Sequence, residues 1–184
     1  MNDFLAFLLF SIFTFQSFSQ DFQADFAKFC EEGDTAKQIE TLTNWEKEDP
    51  KNAELFTSYF NYYFLKSKQE FLSLTTEAPA GESLSIQDST GNAAGYFGSQ
   101  IGYLQIPFEK AMDKIDEGIK LYPQRLDMRF GKIYALGQSM DWERFTKEVV
   151  KTIQHSSKNN NAWTWTNNEK KEDGENFFLT SLQD

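Results

Sequence analysis

The chain has 184 residues, of which 18 are basic and 28 are acidic, so its formal net charge is −10. Binding to nucleic acid or to anionic lipid relies on clustered lysine and arginine, so this balance argues against both kinds of partner. Hydrophobic residues make up 40% of the chain, which is enough for a folded core. A single cysteine and a single histidine exclude an intramolecular disulfide and any metal site built from several histidines.

Residues 1–19 are predicted to be a cleaved export signal. An uncharged apolar run of ten residues begins at Phe4, and Ser17 and Ser19 place small side chains at −3 and −1 before Gln20. No Lys or Arg precedes the run, which departs from the usual signal. The run is also shorter than the roughly 20 residues that cross a bilayer. We therefore expect cleavage near Ser19-Gln20 and a secreted or periplasmic protein with no stable membrane anchor.

Two stretches, 20–75 and 107–155, have the spacing of amphipathic helices, with apolar side chains at every third or fourth position. Asp34 or Thr35 is placed to cap one helix and Asn52 to cap the next, and Gly118 predicts a close approach between two helices. The predicted stripes are Phe22, Phe26, Phe29 and Cys30; Ile39, Leu42 and Trp45; Phe56, Tyr59, Phe60, Tyr63 and Phe64, prolonged by Phe71 and Leu72; Phe108, Met112, Ile115 and Ile119; Leu126, Phe130, Ile133 and Tyr134; and Trp142, Phe145, Val149 and Ile153.

Residues 76–106 break the helical period. Leu84-Ser85-Ile86-Gln87 alternates with period two, and turn residues follow at 88–92, so this insertion is either a β-hairpin or irregular. A connection of this length is often functional in a compact domain. Residues 156–184 predict a polar loop and the start of a further helix, and from this ending we expect the natural chain to continue beyond Asp184.

The glycine and proline residues that separate the helices of each pair resemble those of the tetratricopeptide repeat. Gly33-Asp34 resembles its inter-helix turn, and Pro50 and Pro123 resemble its closing prolines, whereas Gln38 and Phe145 depart from the small residue that the repeat has there. Other matching positions are Leu42, Trp45, Tyr122, Phe130, Gly131, Tyr134 and Trp142.

Segments 45–50, 59–64 and 122–132 are more specifically similar to secreted, uncharacterised tetratricopeptide-like proteins of Bacteroidetes-type bacteria. The resemblance implies an all-α fold, in which antiparallel helix pairs stack as a right-handed α-solenoid with one irregular insertion. It does not imply an activity, since none is established for such proteins.

Motifs for catalysis are missing from the sequence, which has neither a nucleophile elbow nor a phosphate-binding loop, so we predict no enzyme and no cofactor.

Asp113, Asp116 and Glu117 alternate with lysines, as is typical of a solvated helix face. We expect Cys30 to be buried on its helix stripe. His155 is expected to offset a helix dipole.

Six residues are candidate partner contacts. Arg125 and Arg129 lie four positions apart, which suits either ion pairs with Asp127 and with Asp116 or Glu117, or a clamp for a partner's carboxylate. Four aromatic residues lie outside the helical stripes and predict a recognition surface, although the last two could instead pack under a helix: Tyr96, Phe97, Trp163 and Trp165.

Stacked helix pairs usually present a concave surface to a peptide or protein. The sequence therefore predicts an exported, non-catalytic protein–protein interaction scaffold of tetratricopeptide type. The alternative is a glycan-binding accessory protein that uses its surface aromatics as stacking platforms.

Overall fold

A computed structural model describes residues 18–79 and 81–181, so the predicted export signal falls almost entirely outside the described part. A short 3₁₀ turn, Thr166–Asn168, precedes the last helix. The other described elements are α1 (Phe18–Glu31), α2 (Thr35–Glu48), α3 (Ala53–Ser67), β1 (Lys68–Thr75), β2 (Ser83–Gln87), β3 (Ala93–Tyr103), α4 (Gln105–Leu121), α5 (Leu126–Gln138), α6 (Trp142–Lys158) and α7 (Gly174–Ser181).

The prediction of an all-α fold is wrong, because a three-stranded antiparallel sheet lies between α3 and α4. The helical segment predicted over 20–75 ends at Ser67, and β1 follows at once. Phe71 and Leu72 therefore lie in a strand and do not prolong the helix. Adjacent apolar residues suit this position because successive side chains of a strand point to opposite faces, and both faces of this sheet carry apolar groups.

Of the two interpretations of segment 76–106, the β-hairpin is confirmed, and β2 and β3 form it. Asp88 organises its turn, since its Oδ1 accepts hydrogen bonds from the backbone N–H groups of Thr90 (2.8 Å) and Asn92 (3.0 Å). Gly91 provides the left-handed backbone that the turn needs, with φ +87°. The aspartate at 88 is thus a turn residue that bonds its own loop.

The helices form three consecutive antiparallel pairs, α1 with α2, α3 with α4, and α5 with α6. Asp34 and Asn52 cap α2 and α3 through their side-chain oxygens, as predicted. The sheet is inserted within the second pair, where the N–H of Leu104 donates to the carbonyl of Ser67 (2.7 Å) and closes the base of the insertion.

Close packing inside the second pair depends on Gly118. A Cβ atom at this position would lie 2.9 Å from Cβ of Phe56 and 3.1 Å from the sulfur of Met128. The prediction that this glycine marks a close approach of helices is confirmed.

Three apolar clusters form the core. The first joins α1, α2 and α3 around Trp45, and the second joins α3, α4 and α5 around Ile115. The third attaches the C-terminal segment, with Leu126, Trp163 and Phe178 in contact. The sheet contributes mainly Tyr103 to this core, so most of its strands project beyond it.

Cys30 is exposed, so the prediction that it is buried is wrong. The first core cluster is filled instead by Phe26 from the same helix, and Cys30 lies one turn further along. None of the helices in the described residues is long and apolar enough to cross a membrane.

Candidate interaction surface on the sheet

The strand order is β1-β3-β2, so β3 is central and the other two strands are edges. Leu74, Phe97 and Leu84 lie opposite one another in a single row across the three strands. Residues directly opposite in an antiparallel sheet share a face, and every second residue along each strand joins them. We call the exposed apolar members of this face the sheet face: Leu72, Leu74, Leu84, Ile86, Phe97 and Ile101.

The sheet face is exposed. Leu84 keeps 72% of its surface accessible, Leu72 68% and Phe97, the most covered of the six, 40%. An open trough of about 1250 Å³ is lined by these three residues and Ile101, by Glu82, and by Met140 on the loop between α5 and α6. Contiguous apolar patches larger than a few hundred Å² are rare on monomeric proteins and mark interaction sites.

Few charged residues lie on this side of the sheet, and one of them is Glu82, which lines the trough near Leu84. Lys68 and Glu70 occupy the register positions on the same face, next to the helices. Glu70 accepts a hydrogen bond from the hydroxyl of Ser99, the small residue between Phe97 and Ile101. In a chain of net charge −10, this low charge density makes the recognition offered by the sheet face mainly apolar.

The opposite face of the sheet is partly covered by its own side chains. Phe71 lies over Gly102, where a Cβ atom would come within 2.6 Å of its ring. Tyr96 belongs to this opposite face and is half-buried, whereas its neighbour Phe97 belongs to the sheet face. The two aromatics that the sequence singled out in the insertion therefore do not form one platform.

Arg125 is buried, with 1% of its surface accessible, and it binds carboxylates of its own chain. Its guanidinium donates to Glu54 at 2.6 Å and to Asp127 at 2.6 Å. Burial lowers the pKa of Arg125, but the hydrogen bonds and charges of Asp127 and Glu54 raise it above its usual value overall. Glu54 also accepts from the N–H of Asn167 (2.8 Å), so this ion pair ties α3, α5 and the C-terminal segment together.

Arg129 is also buried, and it donates to the carbonyl of Pro123 at 3.2 Å. Its nearest carboxylate is Glu148, at 3.8 Å. Burial lowers the pKa of Arg129, which the charge of Glu148 opposes.

Of the predicted ion pairs, the one between Arg125 and Asp127 is confirmed, whereas the pairing of the arginines with Asp116 or Glu117 is wrong. Asp116 binds Lys132 at 2.6 Å, and Glu117 lies 3.5 Å from Lys114. Because Arg125 and Arg129 are both enclosed by their own chain, they do not present the predicted clamp to a partner's carboxylate.

Trp163 lies in the third core cluster with 1% of its surface accessible. Its Nε1 donates to Oγ of Ser156 (3.0 Å), and its ring stacks on Phe178 with 5.7 Å between centroids. Trp165 is half-buried with its ring edge against Phe177. Of the two interpretations of these tryptophans, the structure supports packing beneath a helix, and a glycan platform shared with Tyr96 is not assembled.

His155 contacts the Trp163 ring at 5.3 Å, and its buried Nε2 has no hydrogen-bond partner among the described residues. Burial lowers the pKa of His155 below its ordinary value of 6.5, and the charges of Arg129 and Lys158 lower it further. The folded chain therefore favours the neutral imidazole.

We expect wild-type protein to lose stability as the pH falls from about 7.5 to about 5.5, because the unfolded chain takes up a proton at His155 that the folded chain resists. The stability that the neutral imidazole contributes is fully present above pH 6.5. It is lost as the pH falls from 6.5 to the lowered pKa of His155 in the folded state. Urea unfolding of wild type and His155→Gln at both pH values measures this loss of stability. The variant should show a smaller loss, and an equal loss would contradict the assignment.

The leucines and isoleucines of the sheet face were missed as candidate contacts. The alternation of Leu84 and Ile86 with polar residues was a usable signal, and Leu72 and Leu74 repeat it on β1. What the sequence does not show is that both strands contribute to the same side of β3.

Comparisons with known proteins return no matching family model, no matching curated protein and no matching solved structure.

Proposed function

We propose that the chain is an exported, non-catalytic protein-interaction scaffold that binds its partner through the sheet face. The observation that carries this proposal is the set of six apolar side chains on one side of a projecting sheet, each with at least 40% of its surface accessible. Burying such a surface against a partner is favourable by roughly 25 cal/mol per Å² of apolar area. The helices provide the rigid base that holds the strands.

The helical part is of tetratricopeptide type in this proposal, with the sheet as an elaboration between the two helices of the second pair. The three antiparallel pairs support that assignment. The non-catalytic role is supported by the buried charged side chains, which pair with one another. Arg125 binds Glu54, and Lys132 binds Glu148 at 3.1 Å. These groups join helices to one another and do not converge on the trough.

A groove between α1, α3 and α5, of about 550 Å³, is the competing surface. Glu54 and Asp127 line it, but Arg125 already binds both. Its other lining groups are mixed, with polar Thr57 and Asn61 among them. The sheet face offers more contiguous apolar area, so we place partner binding there.

Removing the sheet tests this proposal. Lys68 and Tyr103 are directly opposite in the sheet, so residues 69–102 can be replaced by a two-residue Asn-Gly turn without separating α3 from α4. Tagged wild type and the shortened chain are expressed in the source cells, and co-purifying proteins are identified by mass spectrometry. The shortened chain should keep its helical circular dichroism and lose the proteins that wild type enriches. Enrichment of the same proteins by both chains would place the partner on the helices.

A further inference from the structure

We infer that the partner of the sheet face is a basic amphipathic helix, a segment of another protein whose apolar stripe is bordered on both sides by lysine or arginine. The inference rests on the proposed function, since it names the chemistry of the partner for that surface. Three features of the trough support it: its apolar floor, its two carboxylates and its width.

The inserted sheet is acidic. From Lys68 to Tyr103 the chain has one basic residue, Lys68 itself, and four acidic residues, so the net charge of the insertion is −3. Two of these acidic residues, Glu70 and Glu82, line the trough, and none of the described residues that line it is a lysine or an arginine. Lys68 lies at the base of the sheet, next to the helices. The charge within the trough is therefore negative.

Glu70 and Glu82 have no ion-pair partner among the described residues. Glu70 accepts a hydrogen bond from the hydroxyl of Ser99 on β3, so its carboxylate lies over the floor of the trough. Glu82 is exposed. Basic groups of a partner can bind both carboxylates without breaking an ion pair within this chain, which makes the trough complementary to positive charge.

The two carboxylates lie on opposite sides of the central strand. Glu70 is on β1, opposite Ile101 of β3, and Glu82 immediately precedes β2 on the other edge. Two strand spacings, roughly 10 Å, separate the edges of the sheet. An α-helix with its side chains is about 10–12 Å in diameter, so a helix that lies along β3 would cover the sheet and have a carboxylate on each side. Basic residues on both borders of an apolar stripe match this arrangement.

The floor of the trough suits the apolar stripe of such a helix. Phe97 and Ile101 lie along the central strand, with Leu72 and Leu84 beside them on the edge strands. Met140 lines the same trough and is 69% exposed, and its flexible thioether adapts to apolar groups of different shape. An apolar face of an antiparallel sheet is commonly covered by a layer of helices, and the helices of the described residues leave this face exposed.

Fluorescence anisotropy with three labelled 18-residue peptides tests the inference on the purified chain. The first peptide consists of leucine and lysine, with leucines at the i, i+3, i+4 and i+7 spacing, and is roughly 27 Å long as a helix. The second has glutamate in place of every lysine, and the third has the composition of the first in a scrambled order without the stripe. The first should bind wild type, and the other two should bind at least about 10-fold more weakly.

A matched pair of double variants separates binding in the trough from general attraction to an acidic chain. Glu70→Gln with Glu82→Gln removes two charges from the trough. Glu77→Gln with Glu172→Gln removes two charges from exposed residues outside it. The trough variant should bind the first peptide about 10-fold more weakly, because each exposed ion pair contributes up to about 5-fold. The control variant should stay within about 2-fold of wild type, since neither residue contacts the helix that we propose.

Leu84→Gln and Ser85→Gln test the apolar contact. The two residues are adjacent on β2, both are exposed, and they lie on opposite faces of the sheet. Leu84→Gln should weaken binding of the first peptide about 10-fold, because the helix would bury this leucine, and Ser85→Gln should leave binding unchanged. Circular dichroism checks that every variant keeps the fold.

No binding of the first peptide to wild type would overturn the inference, as would equal binding of the charge-reversed or scrambled peptide. Equal losses in the two double variants, or in Leu84→Gln and Ser85→Gln, would also overturn it.

Failure of the proposed function is distinguishable, because photo-cross-linking from Leu84 in the source cells detects any protein that contacts the sheet face. An adduct with a segment that is not a basic helix would keep the interaction scaffold and remove only this partner. The absence of any protein adduct would remove both.

Discussion

Replacing Glu54 by alanine is expected to lower the free energy of unfolding by about 3–5 kcal/mol, the usual cost of breaking a buried ion pair from one side. Arg125, which is 1% exposed in the wild type, would keep Asp127 as its carboxylate partner. The N–H of Asn167 would lose its acceptor as well. Urea unfolding followed by circular dichroism measures the loss.

The matched control breaks an exposed ion pair. Arg144 and Glu109 form two hydrogen bonds, of 2.8 and 2.9 Å, and their side chains are 40% and 42% exposed. Glu109→Ala should cost no more than about 1 kcal/mol, because water screens that pair. Equal losses in the two variants would contradict the role we assign to the buried pair of Glu54 and Arg125.

Replacing Trp163 by alanine is expected to cost about 3–5 kcal/mol, as for other large aromatics in cores. The ring would leave a cavity beside Phe178 and Leu126, and Oγ of Ser156 would lose its indole donor. The guanidinium of Arg129, 5.9 Å from the ring centroid, would lose a cation–π contact. Thermal or urea unfolding is the measurement.

Trp165→Ala is the control for this prediction, since Trp165 is half-buried and contacts Phe177 by its edge. We expect it to cost less than half of the Trp163→Ala loss. A stability change below about 0.5 kcal/mol for Trp163→Ala, the range typical of surface positions, would contradict the core role that we assign to this ring.

The helices were largely predictable because their determinants are local. Asp34 and Asn52 bond backbone groups within three residues of themselves, and Gly118 belongs to a regular apolar stripe. Cys30 shows the limit of such reasoning, because its position on the stripe gives no information on where the neighbouring helix ends. It is exposed although Phe26, one turn earlier, is buried.

The sheet and the candidate site were less predictable because they depend on distant pairings. Phe71 and Leu72 are adjacent and apolar, which is compatible with the prolonged helix that the sequence predicts, and only pairing with β3 assigns them to opposite faces of a sheet. The burial of Arg125 likewise depends on Glu54, 71 residues away. A sequence pattern that covers a few helical turns includes neither the pairing strand β3 nor the distant Glu54.

Photo-cross-linking from the sheet tests the central claim, that this chain acts by binding a protein through the sheet face. A benzophenone amino acid is placed at Leu84 in one chain and at Ser85 in another, and both are irradiated in the source cells. We predict a protein adduct of defined mass from Leu84, identified by mass spectrometry as this chain or another protein, and little from Ser85. No adduct from Leu84, or equal adducts from both positions, would contradict the claim.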